Sequence, residues 1–354
     1  MEDKLMKIKA KKYRIAAFAL IAILATNACG MPDNNGVSDN GYESKENNHI
    51  ATEIADETSL EAEDAEPELE PEIAAQLELE NAVFQYPMVI DGICFDVYDS
   101  YIAVTGFEDD IIQNYAGTIF TLNIPEEIED LPVRVIAEGA FARSAADVKY
   151  IVAIGELQLP DTLYLIEDDA FRNQYLLSQI TIPDSVFWIG ESAFSNGYKK
   201  IMSTNIDLGN NVVTIGNYAF ANMGNVGTLV IPDSVELIGE SAFSNCGITD
   251  IQFGNGVWEL GYAAFYDNSL SSVVIPESVE IIGGYLFNNN PDLAEVSILS
   301  TGVFFDVDMS TNFSKRICDI FEGCSKNLVV KGKAGSSTAK YCSDYGHKFS
   351  LIKD

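Results

Sequence analysis

Cations are scarce in this chain: 21 Lys and Arg stand against 54 Asp and Glu among 354 residues, a formal net charge of −33 at pH 7. Residues 83–314 hold only Arg134, Arg143, Lys149, Arg172, Lys199 and Lys200. Phosphate backbones and anionic bilayers repel such a body, which excludes nucleic acid as a partner. Histidine is rarer still, with only His49 and His347. Neither has a local partner, so a Ser-His-Asp or Cys-His site would need His347 to recruit groups from across the fold. Cys29, Cys94, Cys246, Cys318, Cys324 and Cys342 show no Cys-x-x-Cys spacing, and no metal site is expected from them. Pairing of Cys318 with Cys324 or Cys342 stays open, because connectivity cannot be read from spacing. Asp306 and Asp308 are followed at alternate positions only by Ser310 and Asn312, too few oxygens for a calcium loop. No glycine loop followed by Lys and Ser or Thr is present to hold a nucleotide, and no cofactor is expected. These absences favour a chain that is not an enzyme.

Long apolar runs are also lacking. The run Ile15 to Ala25 would rise only about 16 Å as a helix, against a hydrocarbon core of roughly 30 Å. Lys4, Lys7, Lys9, Lys11, Lys12 and Arg14 precede it, and Thr26-Asn27-Ala28-Cys29-Gly30 follows, so residues 1–29 read as an export signal. The site resembles a bacterial lipoprotein signal, which implies lipidation of Cys29 and contact with membrane only through that N-terminal lipid. Thr26 and Asn27 depart from the usual pattern, and ordinary cleavage after Ala28 is the alternative. Residues 30–82 carry sixteen Asp or Glu and a single cation, Lys45. Such a stretch buries too little apolar surface to offset its ordering entropy, so a disordered, self-repelling tether is expected, with room for a short helix over Ile73 to Leu79.

What the chain has in abundance is one phrase. Its clearest copies read IPDSVFWIGESAF from Ile182 and IPDSVELIGESAF from Ile231. The closing phenylalanines Phe141, Phe171, Phe194, Phe220, Phe243, Phe265 and Phe287 are separated by 30, 23, 26, 23, 22 and 22 residues. A unit near 22 to 23 residues has leucine-rich-repeat length. It is too small to bury its own apolar face, so the core must form between stacked coils. Each copy opens with an apolar triplet such as Leu177-Ile180-Ile182 or Val226-Leu229-Ile231, whose alternation predicts a strand in a parallel sheet. Proline or glycine ends that strand. A second apolar pair follows, such as Val186 and Ile189, closed by a glycine expected at positive φ. Two residues past each Phe from Phe171 onward stand Asn173, Asn196, Asn222, Asn245, Asp267 and Asn289, expected as a ladder that satisfies backbone groups at the turn.

This phrase resembles the BspA-type leucine-rich repeats of bacterial surface proteins. The resemblance covers roughly residues 83–354, with Asp99 to Phe141 similar to the family's opening coil and residues 328–349 to its terminal strand, turn and helix. It implies an α/β solenoid of β-rich leucine-rich repeats, about seven to eight coils with a parallel sheet and short turns or helical segments. The expected organisation is an export signal over 1–29, a tether over 30–82, a solenoid over 83–325 and a C-terminal cap over 326–354. Cys246 and Cys324 take a position that the family fills with buried cysteine. Extra residues interrupt the phrase between Ala142 and Leu157 and around Tyr198 to Ser203, and residues 299–320 replace the expected second half of the eighth coil. The resemblance supplies no catalytic residues.

Two surfaces are candidates for a partner. Strand alternation turns Glu156, Gln179, Asn205, Asp207, Thr228, Asp250 and Gln252 outward, a polar and acidic stripe without a ring on which a sugar would stack. The second surface is the pair of positions inside each Val-x-x-Ile segment, where this chain has Tyr164, Leu165, Phe187, Trp188, Val213, Leu237, Trp258 and Ile281. If exposed, Tyr164, Phe187, Trp188 and Trp258 form an aromatic row suited to a protein interface. The reading is a non-enzymatic protein on the extracellular face of a bacterial cell, lipid-anchored and binding a protein or matrix ligand in an adhesin-like role. A glycan-capture module and a structural surface-layer component are the alternatives.

Overall fold

The computed structural model describes residues 71–108, 119–143, 153–197, 204–306, 308–311, 314–317 and 319–352. The export signal with Cys29, the tether as far as residue 70, most of the insertions after Ala142 and around Tyr198, and Cys318 lie outside them.

The elements run in chain order as helix α1 (Pro71–Asn81), then β1 (Phe84–Ile90), β2 (Ile93–Tyr98), β3 (Ile102–Phe107), β4 (Ile119–Asn123), β5 (Glu127–Ile128), β6 (Leu131–Ile136), β7 (Ala153–Gln158), β8 (Leu165–Ile166), β9 (Gln179–Thr181), β10 (Trp188–Ile189), β11 (Asn205–Asp207) and β12 (Thr214–Ile215). They continue as β13 (Gly227–Ile231), β14 (Leu237–Ile238), β15 (Ile248–Phe253), β16 (Glu259–Leu260), β17 (Ser272–Ile275), β18 (Ile281–Gly283), β19 (Glu295–Ile298), β20 (Phe304–Asp306), β21 (Asp308–Thr311), β22 (Ser314–Ile317), β23 (Val329–Gly332), helix α2 (Ser337–Tyr345) and β24 (Lys348–Leu351). This is a β-rich leucine-rich-repeat solenoid, as the repeat predicts.

The apolar triplets form the expected parallel strands, paired as β4–β7, β9–β11, β13–β15 and β17–β19–β23–β24. Unforeseen is a second, longer sheet: short strands of the Val-x-x-Ile segments, two residues each in β8, β10, β12, β14 and β16, pair in parallel from β6 through β8, β10, β12, β14, β16 and β18 to β20. Two residues per coil give too short an alternation to be read as a strand. At the N-terminal end, β1, β2 and β3 form an antiparallel meander that joins this sheet through β3 and β6. Asp91 and Gly92, both at positive φ, make the two-residue turn between β1 and β2 that right-twisted hairpins favour.

Between the sheets lies one continuous core, and its spine is a column of rings. Phe141, Phe171, Phe194, Phe220, Phe243, Phe265 and Phe287 stack in sequence, neighbouring centroids 5.1 to 6.0 Å apart. Phe321 adds an eighth ring, 6.3 Å from Phe287. The eighth coil is therefore interrupted rather than replaced: β20 continues the long sheet, the β21–β22 hairpin intervenes, and Phe321 closes the coil. That hairpin hid the spacing of Phe321 from the repeat. Both ends of the column close edge-on, against Phe107 at one end and against Tyr341 and His347 of the cap at the other.

The glycines of the phrase do not have the conformation expected of them. Gly190, Gly216, Gly239, Gly261 and Gly283 have no positive φ. Their role is close approach, since a Cβ on Gly216 would sit 2.6 Å from the carbonyl carbon of Gly190 in the preceding coil. Positive φ falls instead to Ser192, Tyr218, Ser241, Ala263 and Tyr285 two residues later, and to Asn173, Asn222, Asn245, Asp267 and Asn289. The expected asparagine ladder is thus mainly a set of left-handed turn residues, a conformation Asn and Asp tolerate.

Side chains one position further on satisfy buried carbonyls of the phenylalanines. Gln174, Asn268 and Asn290 each donate from the side-chain amide to the carbonyl of the preceding coil's phenylalanine, Phe141, Phe243 and Phe265. The thiols of Cys246 and Cys324 do the same to Phe220 and Phe287. These two cysteines are therefore hydrogen-bonded members of the core, and burial pushes both thiols up to about 12.

Candidate functional site

The polar stripe is where strand alternation places it. In β13 and β15, Leu229 and Ile251 point into the core while Thr228 pairs with Asp250 and Val230 with Gln252 on the exposed side. In β9 and β11, Gln179 pairs with Asn205 and Thr181 with Asp207, all four exposed. Glu156 in β7 accepts a hydrogen bond of 2.9 Å from the Thr121 hydroxyl of β4. Parallel pairing keeps equivalent side chains in register within each strand pair, so the exposed residues of paired strands stand side by side in two rows. Val230 and Val274, each 54% exposed, are apolar points in the second row. On this face Lys331 of β23 forms an ion pair with Glu295 of β19, 2.6 Å apart. Glu156, Asp207 and Asp250 leave a net acidic surface toward solvent.

The aromatic row is corrected by the structure. Phe187, Trp188 and Trp258 are all buried, at 5%, 8% and 1% exposure, and Tyr164 is half-buried. For Tyr164, Phe187 and Trp188 the cause is α1, the last stretch of the expected tether, which folds back over this side. Its Ala75 and Leu79 pack into a cluster with Tyr98, Tyr101, Ala103, Val135, Leu165, Phe187, Trp188 and Val213. The Arg134 guanidinium joins the cover to the body, 3.1 Å from Glu78 and stacked over the Tyr164 ring at 4.1 Å. Trp258 belongs to a separate small cluster with Ile281 and Leu237. An acidic, proline-bearing composition made residues 71–81 look like tether; the apolar face that orders them is visible only once the coils are stacked.

In the cap, His347 has a partner that the sequence did not reveal: its Nε2 lies 2.9 Å from Asp319 Oδ1, which also accepts a hydrogen bond of 2.6 Å from the Tyr341 hydroxyl. Burial by itself would raise the Asp319 carboxyl, but the hydrogen bonds from His347 and Tyr341 outweigh it and hold it below its ordinary value. The nearby thiols do not complete a nucleophilic site, because burial holds Cys342 up at about 11 and Cys324 at about 12, far from the thiolate form. The arrangement fastens β24 and α2 onto the end of the ring column. Cys246, Cys324 and Cys342 are not in disulfides. Among the described residues, no group of His, Cys, Asp and Glu could hold a metal ion, and no helix is long and apolar enough to cross a membrane.

No curated protein matches the chain. Among solved structures, a leucine-rich repeat protein from Bacteroides ovatus is 19% identical, with 75% of this chain and 77% of that one covered and a TM-score of 0.44. A leucine rich cell surface protein from Faecalibacterium prausnitzii is 15% identical over 76% of this chain and 96% of its own, with a TM-score of 0.41. The leucine rich repeat protein of T. pallidum is 19% identical over 75% and 98%, with a TM-score of 0.33. The BspA type leucine rich repeat region matches in 6 copies over residues 136–226 and 213–313, half of the chain. With the repeat phrase, the stacked coils and this match in agreement, the chain belongs to the BspA-type leucine-rich-repeat family.

Proposed function

We propose that this protein is displayed on the outside of a bacterial cell, anchored through a lipid on Cys29, and that it binds a protein or matrix ligand without chemistry. The observation that carries this reading is the set of polar side chains turned outward by β7, β9, β11, β13 and β15, in register within each strand pair, open to solvent and net acidic. Spread over several coils, such a surface engages a ligand through many weak contacts in series, and affinity then grows with the number of contacts made together. Its charge favours a ligand surface rich in Lys and Arg, with Val230 and Val274 as points of apolar contact. A glycan-capture reading loses support, since the sheet face has no ring and the tryptophans lie in packed clusters.

The test is binding of the full chain to a panel of purified matrix and surface proteins, compared with an Asp207→Lys, Asp250→Lys double variant. Loss of binding at least tenfold in the variant, with an unchanged melting temperature, supports the reading. Binding unaffected by reversing both charges overturns the assignment to this face. Labelling with radioactive palmitate in wild type but not in a Cys29→Ser variant tests the anchor separately.

A further inference from the structure

The cover α1 is weakly held. It is 11 residues long, buries only Ala75 and Leu79, and leaves Ile73 and Leu77 exposed at 36% and 43%. A helix of that length is marginal in water without something to dock on. It connects to β1 through Ala82 and Val83 alone, and Val83 is pinned by a pair of hydrogen bonds with Asp99, so α1 has its pivot at Ala82. Immediately beyond the pivot lies the second unusual surface of this end. Among the described residues, strand β1 pairs on one side only, with β2, and it has no charged residue. Val83, Phe84, Tyr86, Val89 and Ile90 are exposed at 38% to 58%, and Pro87 disfavours addition of a further strand along the open edge. An uncharged apolar strand is out of place on a chain of net charge −33.

We propose that this end is an interface with a second copy of the chain, formed by reciprocal exchange of α1. Each copy's α1 swings about Ala82 and docks Ala75, Glu78 and Leu79 on the aromatic face and Arg134 of the other. The contacts of α1 are the same in the closed and the exchanged forms, so their free energies cancel. What decides the balance is the new contact made where the two pivots meet, and that contact covers Val83, Phe84, Tyr86 and Val89 from both copies. Opposing it are association entropy and repulsion between two anionic bodies, so the exchanged dimer gains with protein concentration and with salt. Exchange of an identical element through a short hinge is a low-cost route to a dimer.

The experiment uses the ion pair as a label. A Glu78→Arg chain and an Arg134→Glu chain each carry a like-charged pair when α1 stays at home, and only exchange between the two kinds restores opposite charges at both faces. Sedimentation of wild type, each variant and their equimolar mixture is measured at low and high salt, with α1 docking followed by hydrogen exchange over residues 71–82. The expected result is a wild-type dimer that grows with salt, and a mixture whose dimer fraction is several-fold above that of either variant alone. A Val89→Glu chain, altered only at an exposed side chain, provides a second arm and is expected to lose the dimer while keeping α1 docked. A wild type that remains monomeric at every concentration and salt overturns the proposal. So does a dimer that the mixture fails to restore, or one that Val89→Glu leaves intact. None of these outcomes bears on the polar sheet face, whose variants are scored by ligand binding instead.

Discussion

The ring of Phe220 lies 5.2 Å from that of Phe243, with planes 2° from parallel. The residues are 23 apart in sequence and occupy equivalent places in successive coils. Each ring thus has as its ceiling and floor the same residue of the next coils, and no coil can complete its core alone. Removing one ring should therefore be felt as a gap in the column rather than as a local defect. Phe243→Ala is expected to cost about 3–5 kcal/mol, the range for a large aromatic lost from a packed core. Urea denaturation followed by far-UV circular dichroism measures it, and a loss under about 1 kcal/mol would show that neighbouring coils do not depend on the ring.

Asn268 and Asn245 look alike in sequence and should behave differently. The Asn268 carbonyl oxygen accepts from the backbone N–H groups of Cys246 and Ile248, and its amide donates to Phe243 O, all within the core. Asn268→Ala strands buried polar groups, at about 1–3 kcal/mol apiece. Asn245 is exposed, has φ of 54° and exchanges one hydrogen bond with Asn222. Asn245→Gly keeps access to the left-handed conformation and should change stability by only a few tenths of a kcal/mol. Paired chemical denaturation curves decide it, and equal losses in the two variants would contradict the assignment.

Gly239 offers a test of close approach against conformational freedom. A Cβ there would lie 2.7 Å from the backbone nitrogen of Asn217 and 2.8 Å from the carbonyl carbon of Gly216. Backbone cannot yield as a side chain would, so Gly239→Ala must push two coils apart and is expected to lower stability by about 1–3 kcal/mol, as overpacking does. Were conformational freedom the only function of this glycine, alanine at negative φ would be neutral or stabilising. The sign of the change in the denaturation midpoint separates the two.

Glu167 occupies the place that glycine takes in the following coils. Burial pushes its carboxyl up to about 8; one oxygen accepts from Glu138 N–H at 2.9 Å, and the other has no hydrogen-bond partner among the described residues. Since the folded value lies above the unfolded one near 4.5, the folded state holds its proton more tightly. Wild type should therefore lose stability steadily as pH rises from about 4.5 to about 8 and level off beyond, a total on the order of a few kcal/mol. Glu167→Gln removes the titration, so its advantage over wild type should vanish near pH 4 and be largest near pH 9. Thermal melts of both chains across that range check it, and parallel pH profiles would contradict it.

The coil was legible because its code is short-range and repeated: Ile180-x-Ile182 alternates as a strand must, and Phe194 recurs a fixed distance from Phe171. The long sheet was not, since Trp188 and Ile189 form a strand only because Leu165 and Ile166 lie beside them on one flank and Thr214 and Ile215 on the other. Likewise, nothing near Trp188 in sequence announces that Leu79, more than a hundred residues earlier, covers it. The sheet-face residues were found because period-two alternation fixes their direction without any knowledge of tertiary neighbours. The aromatic row failed as an exposed site because exposure is a property of the whole fold, and unusual residues at a repeat position record a docked helix as readily as an absent partner.

The edge-on rings at the two ends of the Phe column, Phe107 on one side and Tyr341 with His347 on the other, have an evolutionary corollary. They are bookends: growth by adding coils beyond them would leave a flat ring with nothing to face. New units must instead enter in the middle, where a copied segment such as residues 231–253 would slide one more ring into the pile and lengthen the body by about 5 Å. Reach is therefore free to vary among descendants of this chain while its two ends stay as they are.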